Sequence, residues 1–243
     1  MPEFDYSLHY RRFHDDSEEH AEVMAGWIAE TIKPHLPSTG PIRALDVGCG
    51  YGFTLRALHK LGVEDVNGLE VSQEQAAHCT AAGLKVEVVS DSALWLRGHP
   101  AQFGIVLLFD VLEHIPRHQQ IDFARAIHEC LVPGGKLLLT VPNANAILAS
   151  RWRYIDFTHH SSFTEHSLDF VLRNAGFDDI RIDASKGIGR FPRRFWLRRN
   201  WPAIRKQIIR RCWLQVFKAE LPGERLENIS FDLNLTAAAV KRA

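Results

Sequence analysis

Residues 45–52 read Leu45-Asp46-Val47-Gly48-Cys49-Gly50-Tyr51-Gly52. The stretch IRALDV (42–47) is a short apolar run that stops at three glycines in GxGxG spacing. Apolar residues then return at Phe53, Leu55, Leu58 and Leu61, at helical intervals. This order predicts a strand, a tight turn and a helix. Glycines in such a turn let the backbone bend sharply and come close to a ligand. A dinucleotide fingerprint would need GxGxxG, and Tyr51-Gly52-Phe53 does not supply it, so a dehydrogenase is disfavoured.

The same alternation continues outward. VNGLEV (66–71) reads as a strand, and the segment from Ser72 to Gly83 as a helix with Ser72 at its cap and Gly83 at its stop. KVEVV (85–89) is a third strand. FGIVLLF (103–109) is nearly all apolar, as a parallel strand buried on both faces should be. A helix over about 117–131 leads through Pro-Gly-Gly to KLLLTV (136–141). A helix over 164–177 has Thr164 at its cap; DIRIDA (179–184) is the sixth strand and FDLNLTAAAV (231–240) the last. Upstream, residues 15–36 form a helix with Val23, Trp27, Ile28 and Ile32 on its apolar face, ended by Pro34 and the PSTGP run at 37–41. The pattern predicts an α/β, doubly wound, mostly parallel sheet, whose ligands sit outside the carboxyl ends of the strands.

Composition narrows the field. The 243 residues are 46% hydrophobic and 24% charged, enough apolar mass for a substantial core and too much for a disordered chain. The 27 Gly and Pro show no period, which excludes collagen-like and solenoid repeats. Cys49, Cys79, Cys130 and Cys212 lack CxxC spacing, so neither a disulfide framework nor a zinc site is expected, and a reducing compartment is. With no signal-peptide pattern at the N-terminus and no membrane-spanning run, a cytoplasmic location is expected.

The strand ends carry the chemistry. Asp46 stands two residues before the first glycine, Glu70 closes the second strand, Asp91 follows the third, and Asp110-Val111-Leu112-Glu113-His114-Ile115-Pro116 follows the fourth. In order, LDVGCGYG, GLEVS, FDVLEHIP and LVPGGKLLLTVPN resemble the motifs of a class I S-adenosylmethionine-dependent methyltransferase over about 42–184 and the last strand. The resemblance implies a Rossmann-like seven-stranded sheet with its last strand antiparallel, and S-adenosyl-L-methionine as cofactor. It places Asp46, Gly48, Cys49 and Gly50 at the methionine end, Glu70 and Val71 at the ribose, Asp91 and Ser92 at the adenine, and Asp110 under the sulfonium. Ser90-Asp91-Ser92 is equally a helix-cap sequence.

After the fifth strand come Asp156, Thr158, His159, His160 and His166. The DxTHxxxFT pattern over 156–164 resembles a methyltransferase subgroup that modifies sugars and polysaccharide precursors. It implies O-methylation of a sugar or glycan acceptor, free or lipid- or nucleotide-linked. Aligning acceptor and methyl group supplies much of the catalysis, but an alcohol also needs a base. His159 and His160 are the candidates, with Asp156 or Glu113 orienting them; His114 is also a candidate, and Glu113 and His114 read equally well as loop or cap residues. No HxxxH or HExxH pair lies on a helix here, and Asp110 with His114 at i, i+4 is the one arguable pair, so no metal is expected. The alternatives are a methyltransferase of a small phenol, a quinone precursor or an RNA base, and a non-catalytic cofactor-binding module. Tyr6, Tyr10 and Arg11 precede the first helix, where the resemblance implies an arm across the cofactor pocket, although they read equally well as a surface arm.

The zero net charge hides an asymmetry. Residues 184–219 hold eleven Lys and Arg and no Asp or Glu, leaving 18 basic and 29 acidic residues elsewhere. The chain divides as one methyltransferase domain, 1–243: an N-terminal arm and helix (1–41), a cofactor-binding core (42–184), a basic helical insertion (185–230) and a final strand (231–243). The insertion alternates aromatics with arginines at 190–201, then shows a helical pattern over 201–218, with Ile204, Ile208, Cys212 and Val216 on one stripe. It reads as a packed lid or as a patch over 190–218 for an anionic membrane surface, peripheral at the inner face. Nucleic acid is disfavoured because the acidic body repels a long polyanion. No feature of the sequence fixes an oligomeric state.

Overall fold

The computed structural model describes residues 17–36, 42–183, 200–223 and 229–242. Tyr6, Tyr10, Arg11 and the arginine–aromatic run at 190–199 lie outside the described residues.

The central strand is the most apolar one. β4 (Phe103–Phe109) lies parallel between β1 (Arg43–Val47) and β5 (Leu131–Pro142), with Ala44 opposite Ile105 and Leu107 opposite Leu138. β2 (Asp65–Glu70) and β3 (Val86–Val88) extend the sheet parallel on one side. β7 (Asn234–Val240) runs antiparallel between β5 and β6 (Asp178–Asp183) on the other. The order among the described residues is β3-β2-β1-β4-β5-β7-β6.

Side chains alternate across the sheet, so consecutive strand residues feed two cores. Leu45, Val47, Val106, Leu108, Leu137 and Leu139 pack with Leu96, Phe123, Ile127 and Leu172. These last come from α4 (Ser92–Arg97), α5 (Gln120–Cys130) and α7 (Glu165–Asn174). On the opposite face Ala44, Ile105, Leu107 and Leu138 meet Ala25, Ala29, Ile32, Leu55 and Leu58. Those belong to α1 (Glu18–Ile32) and α2 (Phe53–Lys60). The doubly wound prediction is met.

Local signals explain most boundaries. Ser72 accepts a hydrogen bond from the Gln75 N–H to start α3 (Gln73–Ala81). Thr164 and Ser167 form a reciprocal capping box at α7. Three expectations change. α1 buries the alanine stripe Ala21, Ala25 and Ala29, leaving Val23 and Trp27 exposed. Leu131 already pairs with Phe103, so β5 begins there and runs through Pro-Gly-Gly. The last strand begins at Asn234 rather than Phe231.

A short helix, α6 (Ala149–Tyr154), follows β5, and α8 (Trp201–Glu220) follows β6. The expected stripe on α8, which Ile209, Trp213 and Phe217 widen, faces the protein only in part, since Ile208, Ile209 and Val216 are exposed. The docked face instead buries Arg210, which pairs with Asp232. Alongside it, Trp213 Nε1 donates to the Asn145 carbonyl (3.2 Å) and Phe217 packs edge-on against Phe231 at 5.4 Å. No helix among the described residues is long and apolar enough to cross a membrane. The four cysteines are free thiols.

Asn143, fully buried at the end of β5, joins these parts. Its amide donates to the Ser230 and Asp232 carbonyls, both at 2.8 Å, and its oxygen accepts from the Asn145 N–H at 2.9 Å. Asn143→Ala strands buried polar groups, each costing about 1–3 kcal/mol. Urea denaturation should show a loss of at least that size.

Candidate active site

The glycine turn leaves β1 in a left-handed conformation. Gly48 has φ +75°, and its N–H and that of Cys49 donate to the Leu69 carbonyl at 2.8 and 3.0 Å. A Cβ on Gly48 would stand 2.7 Å from Val111 Cγ2, so only glycine fits. Cys79 donates its thiol hydrogen to the Gly50 carbonyl (3.2 Å). The neighbouring Cys79 thiol and then burial push the Cys49 thiol upward and keep it protonated. Glu70 accepts three backbone N–H groups: Gly50 on Oε2, and Val71 and Ser72 on Oε1, all at 2.8 Å. A carboxylate has about four lone-pair directions, so one remains for a ligand hydroxyl.

Asp46 is buried beneath this turn, and its Oδ2 has no hydrogen-bond partner. Burial pushes its carboxyl up to about 8, with the Thr54 hydroxyl opposing the shift and the Glu70 charge adding to it. Asp91 caps α4, its Oδ1 accepting from the Leu94 N–H at 2.9 Å, and it lines the cavity with Ser92. Val71, exposed at the rim, lines it too.

Asp110 has φ +54°, an unusual conformation for a residue other than glycine. Its Oδ1 accepts from Thr140 Oγ1 and Asn234 Nδ2, both at 2.9 Å. Trp152 Nε1 donates to Asn234 Oδ1 at 2.6 Å. Asp110 opens onto the cavity yet lies deep within the protein, and that depth raises its carboxyl.

Glu113 and His114 occupy a 3-10 turn, Leu112–His114, immediately after β4. Glu113 is 1% exposed, and neither carboxyl oxygen has a hydrogen bond. Burial first, then the charges of Asp110 and Asp156, hold its carboxyl well above the usual range. The loop 156–160 closes over it. The Thr158 hydroxyl donates to Asp156 Oδ1 at 2.7 Å, and His114 Nδ1 lies 2.8 Å from that hydroxyl. His159 Nε2 is 4.0 Å from both Glu113 Oε1 and Asp156 Oδ2, and its ring meets His114 edge-on at 4.7 Å. His160 is the correction: its side chain is exposed and does not line the cavity, and it contributes a backbone N–H to the Glu113 carbonyl (2.7 Å). His166 is exposed on the first turn of α7.

One cavity of about 1170 Å³ is lined by the other expected cofactor and catalytic residues except Asp46, which lies beneath the glycine turn. Small-ligand pockets span roughly 300–1,000 Å³, so this space admits a nucleoside cofactor with an acceptor beside it. The glycine turn, where a Cβ on Gly48 would meet Val111, fits a close approach by the amino-acid end of S-adenosylmethionine. The sequence reading missed Thr140, Trp152 and Asn234, and it named Thr158 without giving it a role. Only Thr158 carried a local signal: its N–H donates to Asp156 Oδ1 at 2.8 Å, the self-bonding turn that an Asp-x-Thr run favours.

Asp46 makes a pH prediction. Its folded pKa is raised above the unfolded value, so the stability it contributes is complete below about pH 4 and is lost as pH rises through about 8. Denaturation between pH 5 and 9 should show wild-type stability falling, with a shallower fall in Asp46→Asn.

Comparison with known proteins agrees with this geometry. The sequence profile of a family described as "Methyltransferase domain" matches residues 17–182. The ubiquinone biosynthesis O-methyltransferase of Ruegeria pomeroyi is 29% identical over 172 residues, covering 65% of this chain and 68% of that protein. That of Cereibacter sphaeroides is 28% identical over 174 residues, covering 65% and 69%. A SAM-dependent methyltransferase from Archaeoglobus fulgidus superposes with TM-score 0.68 at 17% identity over 98% of this chain and 100% of that one. The family match spans more than half of the sequence, and the chain belongs to the S-adenosylmethionine-dependent methyltransferases.

Proposed function

We propose that the protein methylates a hydroxyl oxygen on a small phenolic, quinone-type metabolite. The observation that carries this reading is the group of Glu113, His114, Asp156 and His159 at the carboxyl end of β4. S-adenosylmethionine, when bound, presents a methyl group on a positively charged sulfur. Asp46, Gly48, Cys49 and Gly50 would hold its amino-acid end, Glu70 and Val71 its ribose, and Asp91 and Ser92 its adenine. Asp110, fixed by Thr140 and Asn234, would lie at the sulfonium end.

The acceptor hydroxyl loses its proton to the imidazole–carboxyl group. Val111, Trp152 and Ile155 adjoin this group along the cavity, and such walls suit a planar ring better than a polyhydroxylated one. The relatives named for ubiquinone biosynthesis favour the same acceptor class. The sugar or glycan acceptor expected from DxTHxxxFT therefore gives way. Asp156 and Thr158 are engaged with each other and with His114 rather than left open to sugar hydroxyls.

His159→Ala should lower kcat at least about a hundredfold while S-adenosylmethionine affinity stays within about twofold. In the wild type, Glu113 is raised by burial and by Asp110 and Asp156. The rate should accordingly climb with pH through neutrality as the group sheds its proton. A His159→Ala variant with full turnover on phenolic substrates would refute the assignment.

A second observation bears on location. α8 turns Trp201, Ile208, Ile209 and Val216 to solvent, with Arg205 exposed among them. We infer a cytoplasmic protein that rests this face on an anionic membrane surface and meets a lipid-linked acceptor there. Binding to vesicles containing anionic lipid should weaken with salt. Ile208→Asp with Ile209→Asp should abolish it without changing cofactor affinity. Wild-type protein that ignores such vesicles at low salt would leave α8 as a packed lid.

A further inference from the structure

We propose that Trp152 and Asn234 are positioning residues that hold the charge of Asp110 toward the cofactor. They thereby set how strongly the site prefers S-adenosylmethionine, with its positively charged sulfur, to S-adenosylhomocysteine, the product left after methyl transfer. The inference rests on the placement of the sulfonium end at Asp110 given above. Asp110 follows β4, Asn234 begins β7 opposite Pro142, and Trp152 lies on α6. All three line the cavity.

The chemistry of these side chains permits one arrangement. An indole N–H only donates and a carboxylate only accepts, whereas an amide offers one group of each kind. Trp152 Nε1 donates to Asn234 Oδ1 at 2.6 Å, and Asn234 Nδ2 donates to Asp110 Oδ1 at 2.9 Å. Turning the amide over would set Nδ2 against the indole N–H and oxygen against oxygen at Asp110. Trp152 therefore decides which end of the Asn234 amide Asp110 meets. A donor at that place favours the ionised carboxylate.

Thr140 fixes the direction of the carboxylate. Its Oγ1 donates to the same Asp110 Oδ1 at 2.9 Å and accepts from the Asp110 N–H at 3.1 Å. The Thr140 carbonyl also accepts from that N–H, at 3.1 Å. These bonds keep Asp110 at φ +54°, a conformation such a residue seldom adopts. Two donors thus converge on Oδ1, and among the described residues none donates to Oδ2, which is left for the cavity. Burial raises the Asp110 carboxyl and the Thr140 hydroxyl opposes that shift. The Asn234 amide, on the same oxygen, acts in the same sense.

A carboxylate held in this way attracts a sulfonium, and the attraction is strong where water is largely excluded. When the methyl group passes to the acceptor oxygen, the electron pair of the sulfur–carbon bond stays on sulfur, which becomes neutral. The attraction then ends. A charge fixed at Asp110 accordingly retains the cofactor before transfer and gives no hold on the product after it. A pair of residues with a merely structural role would affect both ligands alike.

The test is calorimetry on the full chain with S-adenosylmethionine and S-adenosylhomocysteine, and the readout is the ratio of the two affinities. Asp110→Asn should lower the preference for S-adenosylmethionine about tenfold or more. Trp152→Phe keeps an aromatic wall and removes only the N–H. Asn234→Leu keeps the branched shape without donor or acceptor. Each should lower the preference at least about threefold, with S-adenosylhomocysteine affinity within about twofold of wild type. Trp213→Phe, which removes the indole bond to the Asn145 carbonyl, should leave the ratio unchanged. An unmoved ratio in Asp110→Asn overturns the sulfonium placement and the proposal with it. A ratio that moves in Asp110→Asn but not in Trp152→Phe or Asn234→Leu overturns the role of those two residues alone, as does an equal loss of both ligands. No acceptor enters the measurement, so a failure of the phenolic assignment would show separately, as absent methyl transfer to phenols.

Discussion

The Glu70 carboxylate accepts the N–H groups of Gly50, Val71 and Ser72, and in doing so joins the end of β2 to the turn after β1. Hydrogen bonds to a charged group contribute about 1.5–3 kcal/mol each, roughly twice a neutral one. They hold Gly50 in left-handed backbone and set Ser72 at the start of α3. The residue expected to recognise the ribose is therefore also the residue that shapes the floor of the cofactor site. A change at Glu70 alters both together. The same charge lies near Asp46 and helps keep that buried acid protonated.

At the other end of the cavity three acids converge with no such set of amides around them. Asp110, Glu113 and Asp156 meet because the parallel strands all release their chains on one side. Asp110 is held by Thr140 at the end of β5 and by Asn234 at the start of β7. Glu113 carries no hydrogen bond, and the charges of the other two acids raise it further. Pairs of groups pushed from their ordinary pKa values in a cleft are how proteins prepare proton transfer or cation binding. The cofactor end is thus fixed by satisfied hydrogen bonds, while the acceptor end holds its charge poised.

Much of this was legible in the chain because the determinants are local. β4 is apolar throughout because both its faces are covered, and Ser72 and Thr164 announce their helices by their own side chains. The residues expected at the cofactor lie at strand ends, where motif and periodicity coincide. What was not legible depends on partners far away in sequence. Asn234 reaches Asp110 across 124 residues, with no mark in either neighbourhood. His159 and His160 are chemically identical neighbours, and only the path of the loop turns one inward. Hydrophobic periodicity also misled on α8, because the buried position there is an arginine whose charge is met by Asp232.

That arginine links the insertion to the chemistry. Arg210 and Lys206 both pair with Asp232, while Trp213 holds the Asn145 carbonyl. Asn143 grips the Ser230 and Asp232 carbonyls from the end of β5. Two residues beyond Asp232, Asn234 holds Asp110 and is itself held by Trp152. A short run of backbone and hydrogen bonds thus joins α8 to Asp110. Such a path is physical only if its groups have a second arrangement to move to. Among the described residues, the Arg210–Asp232 pair steadies the segment that delivers Asn234 to Asp110.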